Sequence, residues 1–431
     1  MILKITIMSL EEFNPWWRGG REYIDEDPDI IKWHNARVKW IPKEVNAVPL
    51  KPFSLNFIYG PRQVGKTTMI KLIIKNLLHE VRPEAIFYYS CDLLTDYEEL
   101  IDVLKRYIKI KEERGIKTSY IFLDEITYVN DWFRAIKYGI DRGGLFKDDV
   151  VTITGSTSIV LRGGDIETFP GRRGGFGADI VLYPLSFRSY IKALRPEIEV
   201  APGWYEEIKN LFEKYLMTGG FPLSINSYFS FGMITSDVYK SYIDWIIYDT
   251  KRAGKDEGLL KEILSILLEK AGSRISHNSI AKDLGISHRT VSEYIDLLNR
   301  MFLITVLNYI DVNTGSKDYR KLIKVHFMDP FIYRVVSFWT GVNVPDESII
   351  VEGIVASHLA RISEVGYTTI GSREIDVISL SDFTGYEVKY GRRSERVSAR
   401  AGKMKRVITI SRDREDVDVI PAYIFLSGLS A

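Results

Sequence analysis

Between Phe53 and about Pro184, short apolar runs alternate with stretches of helical period, the pattern of an α/β domain built on a parallel sheet. Leu55–Tyr59, Ala85–Ser90, Tyr120–Leu123 and Val150–Thr154 read as buried strands. Met69, Ile70, Ile73, Ile74, Leu77 and Leu78 line one helical face, and Leu100, Ile101, Leu104 and Ile108 another. Beyond Pro184 the period is mostly helical to about Thr250, broken by the turn Thr218-Gly-Gly-Phe-Pro222, which suits a lid or connector. From Gly258 to Pro330 three helical stretches precede two β-like runs, and from about Pro345 a helix, a hairpin and further strands predict a separate α/β unit. Upstream of the first strand, Trp16, Trp17 and Trp33 read as anchors that pin an extended arm onto the core.

Composition narrows the class without naming a partner. The chain has 431 residues, 45% of them hydrophobic and 12% aromatic, which is enough for two to four globular domains and too much for a disordered chain. Its 58 basic residues nearly balance 57 acidic ones, so any nucleic-acid footprint must be local. The lone cysteine, Cys91, forms no internal disulfide, the amino terminus shows no charged leader before a long apolar run, and no stretch approaches a membrane span; a cytoplasmic protein with no membrane partner is expected. Gln63 is the only glutamine, a bias that suits selection against thermolabile amides at high temperature, as in a thermophile.

Gly60-Pro61-Arg62-Gln63-Val64-Gly65-Lys66-Thr67, followed by Thr68, lies between a predicted strand and a predicted helix, the setting of a P-loop. Its glycines let the backbone fold around phosphate oxygens at a helix N-terminus, Lys66 reaches the β and γ phosphates, and the Thr67 hydroxyl ligates Mg²⁺. The run Tyr120-Ile-Phe-Leu-Asp124-Glu125 supplies a carboxylate for the metal shell, Asp124, and a base to orient water, Glu125. The strand around Phe87 intervenes between the two motifs, as in the additional-strand P-loop ATPases. Thr154-Gly155-Ser156 offers a polar side chain, Ser156, to sense the γ-phosphate, with a simple turn as the other reading. Gly171-Arg172-Arg173 offers an arginine, Arg172 first, to neutralise transition-state charge; a surface-loop arginine without catalytic duty is the alternative.

These motifs, with Tyr183-Pro-Leu-Ser-Phe187 and Gly219-Gly-Phe-Pro222 after them, resemble the archaeal and bacterial AAA-type ATPases that carry a carboxy-terminal nuclease-like domain. The resemblance covers nearly the whole chain, including the Asn14-Pro-Trp-Trp arm, and implies architecture more than purpose.

Ser279–Leu284, the turn Gly285-Ile-Ser287 and His288–Leu298 have helix-turn-helix spacing, with Ala281 at the crossing and Val291, Ile295 and Leu298 turned inward. Ser287, His288, Arg289 and Ser292 then fall near the exposed start of the second helix, and Lys317, Arg320 and Lys321 near the tip of a wing formed by Phe302–Leu307 and Leu322–Phe327. Use as a protein-docking or lid module stays open beside DNA binding.

Farther on, Glu374–Leu380 and Tyr386–Tyr390 form a predicted hairpin around a turn containing Gly385. Glu387 and Lys389 share a strand face, and a hairpin centred between Ser381 and Asp382 sets Asp376 opposite Glu387. Carboxylates that hold Mg²⁺ beside a lysine are what a phosphodiesterase needs, and Glu352 on the preceding helix completes the set. The pattern resembles restriction-endonuclease-like nucleases, including archaeal junction resolvases. Within 386–406, eight basic residues, Arg392, Arg393 and Arg396 among them, face two acidic ones, a local footprint for a phosphate backbone.

The expected fold is therefore α/β: an aromatic arm over 1–45, an AAA+-like P-loop NTPase core of the additional-strand class over 46–190, a helical lid over 191–255, a winged helix-turn-helix over 256–340 and a restriction-endonuclease-like domain over 341–431. The expected function is an ATPase that uses ATP and Mg²⁺ and acts with duplex or branched DNA, alone, as a homo-oligomer or with a protein partner. Nuclease activity of the last domain stays open against a signalling or DNA-clamping module in which that domain does not cut.

Overall fold

The structure, a computed structural model, describes residues 9–141, 147–155, 176–391, 397 and 401–430. The chain divides into two compact units, Met1–Tyr183 and Pro184–Ala431. Among the described residues no helix is long and apolar enough to cross a membrane.

The first unit is built on a sheet of β1 (Ser54–Tyr59), β2 (Ile86–Ser90), β3 (Tyr120–Asp124), β4 (Val150–Gly155) and β5 (Asp179–Val181), in the order β2-β3-β4-β1-β5. All four pairings are parallel. Every residue of β1 and β4 is buried, as a parallel sheet covered on both faces requires. The strand that separates β1 from β3 in space is β4, whereas the strand around Phe87 is β2, outermost at one edge. Sequence order and spatial order differ here because a crossover helix can return the chain to either side of an existing strand.

The arm is not extended. It is a series of short helical turns, Leu10–Phe13, Trp16–Gly19 and Arg21–Glu26, followed by the helix Pro28–Asn35. Its polar atoms serve the open edge of β2. The Asn14 side chain accepts from Tyr88 N at 2.7 Å and donates to Tyr88 O at 2.9 Å, and the indole N–H groups of Trp16 and Trp17 both donate to Ile86 O. Trp16 is wholly buried and contributes on the order of 3 kcal/mol through burial. Arm and P-loop helix are tied by a buried ion pair: Lys71 Nζ lies 2.8 Å from Asp27 Oδ2 and 3.5 Å from the centre of the Tyr88 ring.

The second unit carries a sheet of nine strands. These are β6 (Arg274–Ile275), β7 (Ile304–Asp311), β8 (Ser316–Asp318), β9 (Ile323–Phe327), β10 (Val365–Ile370), β11 (Arg373–Ser379), β12 (Thr384–Lys389), β13 (Arg406–Ser411) and β14 (Val419–Pro421). Their order is β14-β13-β12-β11-β10-β7-β9-β6, with β8 also paired to β7. The segments expected as separate domains over 256–340 and 341–431 thus share one sheet. Strand β7 makes the join, pairing Ile304–Leu307 with β9 and Asn308 and Tyr309 with β10. The helix Glu347–Ala360 packs against β7, β9, β10, β11 and β12.

In the connector the Gly219-Gly220 turn is held from below. Asp329 Oδ2 accepts from Gly220 N at 2.8 Å, and its Oδ1 accepts from Phe331 N at 2.9 Å, at the start of the helix Pro330–Thr340. Burial pushes the Asp329 carboxyl up to about 6, against those two N–H groups, which hold it down.

Candidate functional site

In the first unit, β1 ends at Tyr59 and the helix Lys66–Leu77 begins seven residues later, after the loop that starts at Gly60. The loop closes tightly: a Cβ on Gly60 would lie 2.1 Å from Leu182 O, and Gly65 has φ 101°, which L side chains rarely adopt. Pro61 and Val64 are buried beneath the loop, Gln63 is exposed, and Arg62 donates to Tyr128 Oη at 2.8 Å. Thr67 and Thr68 are half-buried on the first helical turn.

Lys66, 4% exposed, donates to Gly60 O at 3.2 Å and Pro61 O at 2.9 Å, and its ammonium lies 3.9 Å from Glu125 Oε1. The Thr67 hydroxyl donates to Asp124 Oδ2 at 2.7 Å. Tyr88 Oη reaches the same carboxylate oxygen at 3.0 Å, and Thr154 Oγ1 donates to Asp124 Oδ1 while accepting from Glu125 N at 2.9 Å. Burial, then the Asp124 charge, pushes the Tyr88 phenol far above its ordinary range, so it stays a donor. Glu125 has φ 51° and ψ 41°, a left-handed conformation that costs a non-glycine residue roughly 1–3 kcal/mol. Strand β3 and the residue just after it therefore present both acidic side chains to the P-loop. Ser156 and Arg172 lie outside the described residues.

In the second unit, the turn after β11 is set by Asp382, whose side chain accepts from Thr384 N and Oγ1, and by Phe383 at φ 53°. Gly385 lies within β12 and not in the turn: a Cβ there would meet Ile375 and Met404 at 3.0 Å, so the residue is small because the core crowds it. The register pairs Val377 with Tyr386 and Ile378 with Gly385, which sets Asp376 across from Glu387. Asp376 Oδ2 accepts from Val388 N at 2.8 Å, and Lys389 donates to Glu387 Oε1 at 2.6 Å.

The centre of this cluster is a lysine that does not belong to the hairpin. Lys324 Nζ, on β9, lies 2.6 Å from Glu352 Oε1, 2.8 Å from Glu374 Oε1 and 3.3 Å from Asp376 Oδ1. Strands β9 and β11 are three steps apart, roughly 14 Å in a flat sheet, so these contacts require the sheet to curl. His326 Nε2 approaches Glu352 Oε1 at 3.1 Å, with Tyr333 Oη behind the ring, and Arg274 pairs with Glu374 at 3.1 Å. Burial and then the Glu352 and Glu387 charges push Asp376 above the usual carboxylate range, whereas His326 and Lys324 overcome burial to hold Glu352 below it. Glu387 Oε2 is buried with no hydrogen-bond partner among the described residues. An open cleft of about 540 Å³ adjoins these groups, lined by Glu374, Asp376, Glu387 and Lys389 among others.

Sequence reasoning brought Asp376, Glu387, Lys389 and Glu352 together and missed Lys324, His326, Glu374 and Arg274. The signal was present in β9, where Lys324 and His326 alternate with Ile323, Val325 and Phe327 and so share one face.

The helices His277–Leu284 and His288–Arg300 pack together about Gly285, φ 66°, and the second packs against β7, which pairs antiparallel with β9, itself paired with β6. Ser287, His288 and Arg289 are exposed and Ser292 half-buried. Ser287 caps the helix by accepting from Thr290 N, Arg289 pairs with Glu293 at 3.0 Å, and the His288 ring stands edge-on to His277. On the connection between β7 and β9, Lys317 pairs with Glu364 and Arg320 with Asp318. Arg392, Arg393 and Arg396 lie outside the described residues.

Parts of the chain are similar to known proteins. Residues 53–191 match the family model described as an AAA domain. That span contains the P-loop, Asp124, Glu125 and all five strands of the first sheet. Residues 209–343 match a domain of unknown function, DUF8612, which runs across the boundary expected at 255/256. The chain is 27% identical over 375 residues to the uncharacterized protein MJ1637 of Methanocaldococcus jannaschii, covering 78% of this chain and 75% of that one. It is 26% identical over 338 residues to an uncharacterized protein of Haemophilus influenzae, covering 75% and 79%. Among solved structures, the Walker-type ATPase PABY2304 of Pyrococcus abyssi aligns with a TM-score of 0.42 and 13% identity, over 65% of this chain and 90% of that one.

Proposed function

We propose that this protein binds Mg²⁺·ATP in its first unit, hydrolyses it, and acts with DNA. The observation that carries the reading is the placement of Lys66, Thr67, Asp124 and Glu125 at one loop, within a span that matches an AAA domain. A hydroxyl and a carboxylate are the hard oxygen donors that Mg²⁺ takes, and Thr67 Oγ1 and Asp124 Oδ2 already stand 2.7 Å apart. Bound there, Mg²⁺ would neutralise phosphate charge. Lys66 rests on two neutral carbonyls, from which it can turn to a phosphate. Glu125, held by its backbone bond to Thr154, orients the attacking water and takes its proton. Ser156 and Arg172 are proposed to meet the γ-phosphate, and the protein to work in the cytoplasm.

The helices around Gly285 with strands β6, β7 and β9 are read as a winged helix, whose exposed Ser287, His288 and Arg289 meet a DNA backbone, helped by the basic run through Arg392, Arg393 and Arg396. Phosphate release from purified protein tests the first part. Lys66→Ala and Glu125→Gln should each lower turnover at least about 100-fold, the second while retaining ATP; unchanged turnover in both would sink the assignment. For DNA, Arg289→Glu should weaken a salt-sensitive affinity, and salt-independent binding would count against a phosphate footprint.

Strands β10–β13 are read as restriction-endonuclease-like, supported by the Asp376–Glu387 register and by Lys389 on the same face. The donor set nevertheless does not fit a divalent ion in this arrangement, because Glu352, Glu374 and Asp376 all engage Lys324. That observation favours the second reading for this domain, one that holds nucleic acid or a partner without cutting.

A further inference from the structure

We infer that Lys324 is a built-in substitute for the metal ion at the acidic centre of the second unit. The inference rests on the nuclease-like reading only in that this reading is what leads one to expect a metal there.

Three observations carry it. The first is stoichiometric. An ammonium has three donors, and Lys324 meets three carboxylates, one from the helix Glu347–Ala360 and two from β11, at 2.6, 2.8 and 3.3 Å. A divalent ion at that point would need the same oxygens at about 2.0–2.6 Å and would be repelled by the ammonium beside it. The second is the state of the remaining oxygens. Glu352 is further held by His326, Glu374 by Arg274, Asp376 Oδ2 by Val388 N and Glu387 Oε1 by Lys389. His326 and Lys324 share Glu352 Oε1, which leaves Glu352 Oε2 and the buried Glu387 Oε2, and among the described residues no three carboxylate, imidazole or thiol groups are arranged to hold a metal. The third is burial. The Lys324 side chain is 1% exposed, so it cannot leave for solvent without a movement of β9. It therefore ties β9 to the acidic face formed by β11 and the helix Glu347–Ala360.

The test uses the full chain without nucleotide and counts bound Mn²⁺ by electron paramagnetic resonance, in the wild type, Asp376→Asn, Lys324→Gln, and Lys324→Gln with Asp376→Asn. The wild type should show no Mn²⁺ that Asp376→Asn removes. Lys324→Gln should gain one Mn²⁺, bound at least tenfold more tightly than any the wild type holds at this centre, and the double variant should lose it. A wild-type Mn²⁺ already sensitive to Asp376→Asn, or a folded Lys324→Gln that gains none, overturns the inference. If Lys324→Gln does not fold alone, recovery by excess Mn²⁺ but not by K⁺ supports it, and absence of recovery overturns it. Incubating metal-loaded Lys324→Gln with duplex and branched DNA addresses the nuclease-like reading separately: ion gain without cleavage would fail that reading and leave the inference standing.

Discussion

Two buried lysines, Lys66 and Lys324, do opposite things. Lys66 donates to two main-chain carbonyls and has Glu125 Oε1 at 3.9 Å, whereas Lys324 is gripped by three carboxylates at hydrogen-bond distance. Neutral carbonyls satisfy an ammonium without neutralising it, which suits a lysine proposed to meet an incoming anion. Carboxylates neutralise it, and a desolvated ion pair is hard to break once made. Burial alone therefore does not mark a lysine as functional; the charge of its partners decides.

The sharpest way to break this contrast is to replace each lysine with an apolar side chain of similar length. Lys324→Met strands three carboxylates and should cost about 3–5 kcal/mol in urea unfolding at neutral pH without metal, while Lys66→Met should change stability by less than about 1 kcal/mol. Equal costs would erase the distinction.

A buried carboxylate held mainly by two backbone N–H groups, with the Arg361 charge a lesser help, gives the converse case. Asp329 has its pKa raised from 3.8 to about 6, so the folded state binds the extra proton between those values, and this group's contribution falls as pH rises from about 4 to 6. Asp329→Asn should remove that dependence, about 2–3 kcal/mol across the window, read as the difference in unfolding free energy between variant and wild type at pH 4 and 6.5. Parallel profiles for the two proteins would mean that Asp329 is ionised throughout.

The smallest effect is expected at Tyr88, whose hydroxyl bonds Asp124 Oδ2. Tyr88→Phe should raise the Mg²⁺ concentration for half-maximal ATP turnover by about 3- to 10-fold with little change in the maximal rate, because Thr67 and Thr154 still hold the carboxylate. A purely structural role would leave that Mg²⁺ dependence unmoved.

How much of this was legible depended on whether partners are near in sequence. The P-loop is contiguous, and the hairpin register follows from the alternation of Glu374, Asp376, Glu387 and Lys389 about a short turn, so both could be read from spacing. Lys324 could not be placed, because its contacts depend on how far the sheet curls between β9 and β11. The same blindness hid the join at β7, where a parallel pairing of Asn308 and Tyr309 with Gly366 and Tyr367 links segments nearly 60 residues apart. Position in the sheet was also beyond reach: nothing in the Phe87 strand says that it lies at the edge.

That edge gives the arm a colloidal meaning. An outermost strand as apolar as Ile86-Phe-Tyr-Tyr-Ser90 offers a template on which a second chain can add. Asn14, Trp16 and Trp17 occupy the carbonyls of Ile86 and Tyr88 and the N–H of Tyr88, the groups such a strand would use. The short turns Leu10–Phe13 and Trp16–Gly19, with Asn14 between them, thus act as a fixed stopper, and the cost of losing them would appear first as sheet-to-sheet association in concentrated solution.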